Sequence, residues 1–309
     1  MLQIILLYAL YGVVFIFSKE ALLFSKPIFA TGFRMVFAGI CSYFLYKFWA
    51  KPVKWSSVTW YHIWYIFLLA FFNVYLTNAN ETWSLQYLSA GKVAFIYNLS
   101  PFFSLFFSHF MFKEKFTWKK IVGMIIACIA ITPLLVDDTS LDVVDSTYRI
   151  GFLSIAEIVM IIASAATAYG WIIMKYLMEL RSDFSSYFLN ATSLVVGGIL
   201  CFMQSWFFEV QPYVLSGYEN KFLFYISIMM LIQNLIAYNY NSYLLTIHSA
   251  TLVILFSFVM PIITAILEFF MFGEQLTMEF FTCSLGVAIG LVIFYFEELK
   301  EDRPSKRIS

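Results

Sequence analysis

Long apolar runs alternate with short polar interruptions along nearly the whole chain. Runs near 2–23, 27–49, 58–82, 89–112, 117–136, 150–180, 184–207, 222–245, 249–272 and 277–298 each hold about the 20 mostly apolar residues needed to cross bilayer hydrocarbon. A backbone in lipid must satisfy its own hydrogen bonds as helices or as a closed barrel. Barrel strands alternate over about ten residues, whereas these runs are longer and continuous. The pattern therefore predicts an all-α integral membrane protein of ten transmembrane helices. Lys51 and Pro52, an acidic loop with Asp137, Asp138, Asp142 and Asp145, and a polar loop over 211–220 supply the punctuation. The first run begins at Leu2 without a basic region before it or a small-residue cleavage site after it, so it is expected to stay as a span.

The same pattern occurs twice. Ser89, Ala90, Val93, Pro101, Phe110, Met111, Phe112, Glu114 and Thr117 recur, 160 positions on and without a gap, as Ser249, Ala250, Val253, Pro261, Phe270, Met271, Phe272, Glu274 and Thr277. Each copy reads as a helix that opens after a small-residue turn, is interrupted by a proline and ends in a charged hairpin. Five spans per half make the second half enter the membrane from the opposite side, so the duplication is inverted. The predicted units are a first five-helix repeat over 1–136, an external linker over 137–149, a second five-helix repeat over 150–298 and a cytoplasmic tail over 299–309. Inverted repeats of this kind are the architecture of carriers that hinge about a midplane site.

Composition agrees with the pattern. The chain is 62% hydrophobic and 12% charged with zero net charge, against about 45–50% and 25% in soluble domains. Basic residues form no patch suited to phosphate backbones, so no nucleic acid is expected as a partner. Cys41, Cys128, Cys201 and Cys283 sit inside apolar runs without paired spacing, which suggests neither disulfides nor zinc. Charge does orient the spans, because Lys and Arg collect on the cytoplasmic side. Lys47, Lys51 and Lys54, then Lys113, Lys115, Lys119 and Lys120, then Lys175 and Arg181, then Lys300, Arg303, Lys306 and Arg307 all fall on one face of a ten-span weave. Lys19, Lys26, Lys92, Arg149 and Lys221 fall on the other. A multi-pass protein with both termini cytoplasmic follows.

Ser89-Ala90-Gly91-Lys92 leading through Asn98-Leu99-Ser100-Pro101 to Phe112-Lys113-Glu114, and Ser249-Ala250-Thr251 leading through Pro261 to Phe272-Gly273-Glu274, resemble the paired motifs of the drug/metabolite transporter superfamily, in its EamA-type ten-helix branch. Tyr11-Gly12 with Lys19, and Arg34 early in the second span, resemble that family's opening. Span six departs from it, with Lys175 only five residues after Gly170. The resemblance covers nearly the whole chain and implies a monomeric or weakly dimeric carrier of small organic metabolites in the inner (cell) membrane. It does not give the substrate.

Intramembrane polar groups usually face a protein interior or a wet cavity. Asn73, Thr77 and Asn80 in span three, and Asn234, Tyr238 and Asn241 in span eight, with Gln233 beside them, lie on one helical face each. Their recurrence at an offset of 161 suggests opposite walls of one cavity; interhelical hydrogen bonding is the plainer alternative, worth about 0.6 kcal/mol per contact. Pro101 and Pro261 remove a backbone donor in mid-membrane, and such helix breaks either kink packing or line transporter sites. Tyr97, Asn98 and Ser100 precede the first break. Their counterparts Ser257, Phe258 and Met260 make the site asymmetric.

Arg34 cannot shed its charge and costs about 2.5 to 3.5 kcal/mol at a helix centre. It either pairs with Glu20 or Glu81 or captures a substrate anion. Glu157 and Glu268 are candidates for coupling or counter-charge, or are simply paired. Tyr11, Tyr169 and Trp171 suggest aromatic lining in spans one and six, in a chain that is 21% aromatic. His62, His109 and His248 are scattered, so no metal is expected. No nucleotide-binding loop occurs, no cofactor is implied, and no catalytic residue is assigned. The expected function is secondary transport, by alternating access, of an amino acid, an amine or a nucleoside-like compound; the competing readings are a non-transporting membrane assembly subunit and an intramembrane enzyme.

Overall fold

A computed structural model describes residues 2–88, 90–113, 117–136, 149–150, 153–272 and 278–301. The linker over 137–148, Glu114, Glu274 and the tail from 302 lie outside the described residues. Helices α1 (Leu2–Leu22), α2 (Pro27–Trp49) and α3 (Trp60–Ser84) lead into α4, which consists of Ala90–Tyr97 and Ser100–Phe112. Helices α5 (Trp118–Val136), α6 (Ile155–Leu180), α7 (Ser186–Phe208) and α8 (Glu219–Ile247) follow. Helix α9 runs as Ala250–Leu255, a 3₁₀ turn Phe256–Phe258 and Val259–Phe272, and α10 covers Met278–Glu301. The sheet among the described residues is one two-residue pairing of Arg149–Ile150 with Leu153–Ser154.

Eight of these helices are long and apolar enough to cross a membrane, and α10 contains a shorter apolar stretch, Phe281–Glu297. Large apolar side chains face outward: Phe48 is 80% exposed, Phe110 68%, Leu285 65% and Phe296 61%. Water would penalise that much apolar surface; lipid does not. The chain is an all-α, multi-pass membrane protein.

Local chemistry sets where the helices begin. Pro27 occupies the first turn of α2, where its missing N–H costs nothing. Beside it, the Glu209 carboxylate at the end of α7 accepts from the free N–H groups of Ile28 and Phe29, both at 2.8 Å, an anion on the positive end of a helix. Ser154 and Glu157 form a reciprocal capping box on α6. Ser185 and Ser249 accept from Phe188 N–H and Leu252 N–H to start α7 and α9. In the loop after α6, Arg181 Nε and Nη2 donate to Asp183 at 2.8 and 2.6 Å, and Arg181 Nη1 reaches the Ser57 carbonyl. The guanidinium holds the Asp183 carboxyl well below the usual carboxylate range. The pair is therefore fully charged at neutral pH and loses its charge only in strong acid.

The two halves interleave. Helix α1 packs on α8 and α9, and α6 packs on α3 and α4, so the first helix of each half is held by the third and fourth of the other. Counterparts also meet directly, α2 along α7 and α5 along α10. Glycines allow the second contact: a Cβ on Gly123 would lie 2.6 Å from the Gly290 carbonyl oxygen, and one on Gly290 would lie 2.4 Å from that of Gly123. Van der Waals packing drives helix association in lipid, so small residues belong at such crossings.

Candidate functional site

Helices α3 and α8 each widen into a π-helical segment, Ala70–Leu76 and Met230–Ala237. The two segments start 160 residues apart, the same offset as the duplicated motifs. A π-turn closes i to i+5 bonds and often marks a functional site. Side chains add further donors to the carbonyls of this segment: Thr77 Oγ1 donates to Phe72 O at 2.7 Å, and Asn78 Nδ2 donates to Asn73 O and Val74 O at 3.2 and 2.9 Å. The extra residue also rotates whatever follows it. Past Asn73 and Thr77, Asn78 and Glu81 turn into the protein, while Asn80 is half-buried elsewhere.

A cavity opens at these segments. Helix α3 supplies Asn73, Thr77, Asn78 and Glu81, and α8 supplies Gln233 and Tyr238. Tyr11 and Phe15 come from α1, Tyr97 from α4, Thr167 and Trp171 from α6, and Met260 from α9. Both halves therefore wall one space. Residues matched at 160 meet across it: Asn73 and Gln233 both line it, and Asn78 Nδ2 donates to Tyr238 Oη at 3.1 Å. Thr167 Oγ1 donates to Thr77 Oγ1 at 2.9 Å, tying α6 to α3.

Arg34 on α2 is 1% exposed and holds the two π-helices together. Its Nη1 donates to Gln233 Oε1 and its Nη2 to Asn78 Oδ1, the second at 3.2 Å. Its Nε has no hydrogen-bond partner among the described residues. Glu81, one turn along α3 from Asn78, lies beside it in the cavity lining. One turn before Arg34, Thr31 Oγ1 donates to Thr82 Oγ1 at 2.9 Å, fixing α2 beside Glu81. Aromatic rings enclose the other side: Trp171 and Tyr238 stand edge to face at 5.2 Å, Tyr11 and Tyr238 at 6.4 Å, and Phe15 and Tyr97 at 6.2 Å.

Of the residues singled out by sequence, Tyr11, Asn73, Thr77, Tyr97, Gln233 and Tyr238 come together at this cavity. Asn234 instead turns its Nδ2 toward Met35 Sδ at 3.3 Å. The Asn241 amide, both amide atoms of Asn98 and the Ser100 hydroxyl are buried without a hydrogen-bond partner among the described residues. Tyr169 packs between Phe72 and Phe107, at ring separations of 4.9 and 5.0 Å. Glu157 forms a buried ion pair with Lys92 at 3.1 Å, away from the cavity. Pro101 is the second residue of the lower α4 piece, after the turn Asn98-Leu99; the 3₁₀ turn of α9 precedes Pro261. The side chains of Pro261 and Glu268 lie outside the described residues.

Asn78, Glu81 and Phe15 were not singled out as site residues. Matching spans three and eight at the gapless offset of 160, rather than 161, pairs Asn78 with Tyr238 and Glu81 with Asn241 and would have pointed to the first two. Chemically, the site offers hydrogen-bonding amides, aromatic faces and one carboxylate, with the buried Arg34 guanidinium donating to the neighbouring Asn78 amide.

Comparison with known proteins bears on this arrangement. The chain matches the EamA-like transporter family over residues 1–136 and 154–296. It is 31% identical over 290 residues to a protein of Chlamydia muridarum named an S-adenosylmethionine/S-adenosylhomocysteine transporter, spanning 93% of this chain and 88% of that one. A protein of the same name from Chlamydia trachomatis serovar L2 is 30% identical over 289 residues, with 93% and 86% covered. A solved crystal structure superposes with a TM-score of 0.70 over 97% of this chain and 96% of that one at 12% identity, a likeness of fold alone.

Proposed function

The chain belongs to the EamA-like transporter family, and from that premise we propose that it carries S-adenosyl compounds across the cell membrane by alternating access. Such a molecule joins an α-amino acid to an adenine nucleoside through sulfur, so it presents the amino-acid, amine and nucleoside chemistry expected from the sequence in one ligand. The observation that carries the reading is the cavity between the two π-helices, where amides and aromatic rings from both halves converge with one carboxylate. Aromatic faces suit the adenine ring. Asn73, Asn78 and Gln233 suit its ring nitrogens and the ribose hydroxyls. The names of the chlamydial relatives point to the same class.

Ten spans in two inverted repeats, with both termini cytoplasmic, complete the proposal. Each half grips the first helix of the other, so a rocking motion of one half opens the cavity on one side while closing it on the other. The first test is binding. S-adenosylmethionine or S-adenosylhomocysteine is expected to raise the thermal stability of the purified protein in a saturable way, by about 2.7 kcal/mol at a hundredfold excess over the dissociation constant. Free methionine and adenosine, each carrying half of the ligand, are expected to do so only at far higher concentration. Stabilisation by unrelated metabolites, with none from either S-adenosyl compound, would overturn the substrate assignment.

A further inference from the structure

We propose that Glu81 is the residue by which this carrier distinguishes a cationic sulfonium substrate from its neutral thioether counterpart; the inference rests on the S-adenosyl reading above. A trialkylsulfonium has no N–H or O–H to donate. It can be selected only by aromatic faces, through the attraction of a cation to a ring quadrupole, and by a negative charge within reach. The cavity provides both. Tyr11, Phe15, Tyr97, Trp171 and Tyr238 form its aromatic wall, and Glu81 is the only carboxylate in its described lining.

Glu81 is 5% exposed, yet no hydrogen bond or ion pair among the described residues engages its carboxylate. The terminal nitrogens of Arg34 donate to the Gln233 and Asn78 amides rather than to this carboxylate. The Tyr97 and Tyr238 hydroxyls, from α4 and α8, line the same cavity and carry no charge in their protonated form. In the other half the matched residue is Asn241, polar but uncharged. The cavity thus presents one carboxylate on one wall, engaged by no hydrogen bond among the described residues, facing a surface that favours onium groups. A neutral thioether of the same shape gains the aromatic contact but not the charge pairing.

Equilibrium binding of S-adenosylmethionine and S-adenosylhomocysteine to the intact protein, wild type and Glu81→Gln, tests the assignment. The variant is expected to lose about tenfold or more in affinity for the sulfonium compound, the low end for removing one member of a close charge pair, and less than about threefold for the thioether. Glu81→Asp keeps the charge but withdraws it by one methylene, and its preference is expected to fall between the two. It also keeps the question answerable if Glu81→Gln does not fold. Equal losses for both ligands would make Glu81 a structural residue and overturn the proposal, as would unchanged affinity for the sulfonium. Wild-type protein binding neither ligand would instead overturn the substrate reading itself, a result distinct from equal losses.

Discussion

Arg34→Leu is expected to abolish transport and to destabilise the protein by about 3 kcal/mol, the scale on which two buried acceptors left without partners are felt. The substitution strips partners from Gln233 Oε1 and Asn78 Oδ1. It also leaves the Glu81 carboxylate with no balancing charge. Buried acceptors without partners cost about 1 to 3 kcal/mol each, and an uncompensated carboxylate costs more. The damage should therefore be partly reversible: Arg34→Leu combined with Glu81→Gln is expected to recover a measurable part of the lost thermal stability, since groups in one network are non-additive. Thermal unfolding followed by tryptophan fluorescence reads both. A stable Arg34→Leu protein, or a double variant less stable than wild type by the sum of the separate losses, would mean that Arg34 does not hold the cavity together.

Gly170→Ala carries the second large effect. A Cβ on Gly170 would stand 2.4 Å from Asn73 Cβ, 2.7 Å from its Cα and 2.8 Å from its backbone nitrogen. Two of those atoms are backbone, so a rotamer change cannot relieve the clash. The π-segment of α3 must move, and Asn73 and Asn78 move with it. Overpacking of this kind costs about 1 to 3 kcal/mol, and ligand-induced stabilisation should disappear with the displaced amides. Gly12, the corresponding glycine of the first half, provides the comparison. A Cβ there would meet the Met260 carbonyl oxygen at 3.1 Å and Thr264 Oγ1 at 3.2 Å, so Gly12→Ala should be clearly the milder variant. Equal or reversed severity in melting temperature would contradict this account of the packing.

Much of the architecture is legible in the chain, because lipid leaves the backbone few choices and a gapless duplication marks corresponding positions. The apolar runs and the proline breaks map onto helices α1 to α10 and onto the interruptions of α4 and α9. The cavity is legible only in part. Asn73, Thr77, Tyr97, Gln233 and Tyr238 stand out as polar groups in apolar runs, but Asn78 and Glu81 fall off a face drawn at 3.6 residues per turn. The π-segments are the reason. They add a residue to the turn and carry Asn78 and Glu81 inward, while Asn80 is left aside and Asn234 faces Met35. Nothing in a periodicity marks a π-turn in advance; the repeat offset of 160 was the available clue. Arg34 was conspicuous for its cost, whereas its partners Gln233 and Asn78 come from two other helices and become visible only once the halves interleave.

The central claim is that one cavity, walled by both halves, carries S-adenosyl compounds from one side of the membrane to the other. Counterflow in proteoliposomes tests it most directly. Vesicles loaded with unlabelled S-adenosylhomocysteine and diluted into a trace of labelled S-adenosylmethionine are expected to accumulate label transiently above equilibrium, and Arg34→Leu vesicles are expected not to. Label that enters loaded and empty vesicles at the same rate, without an overshoot, would contradict the account.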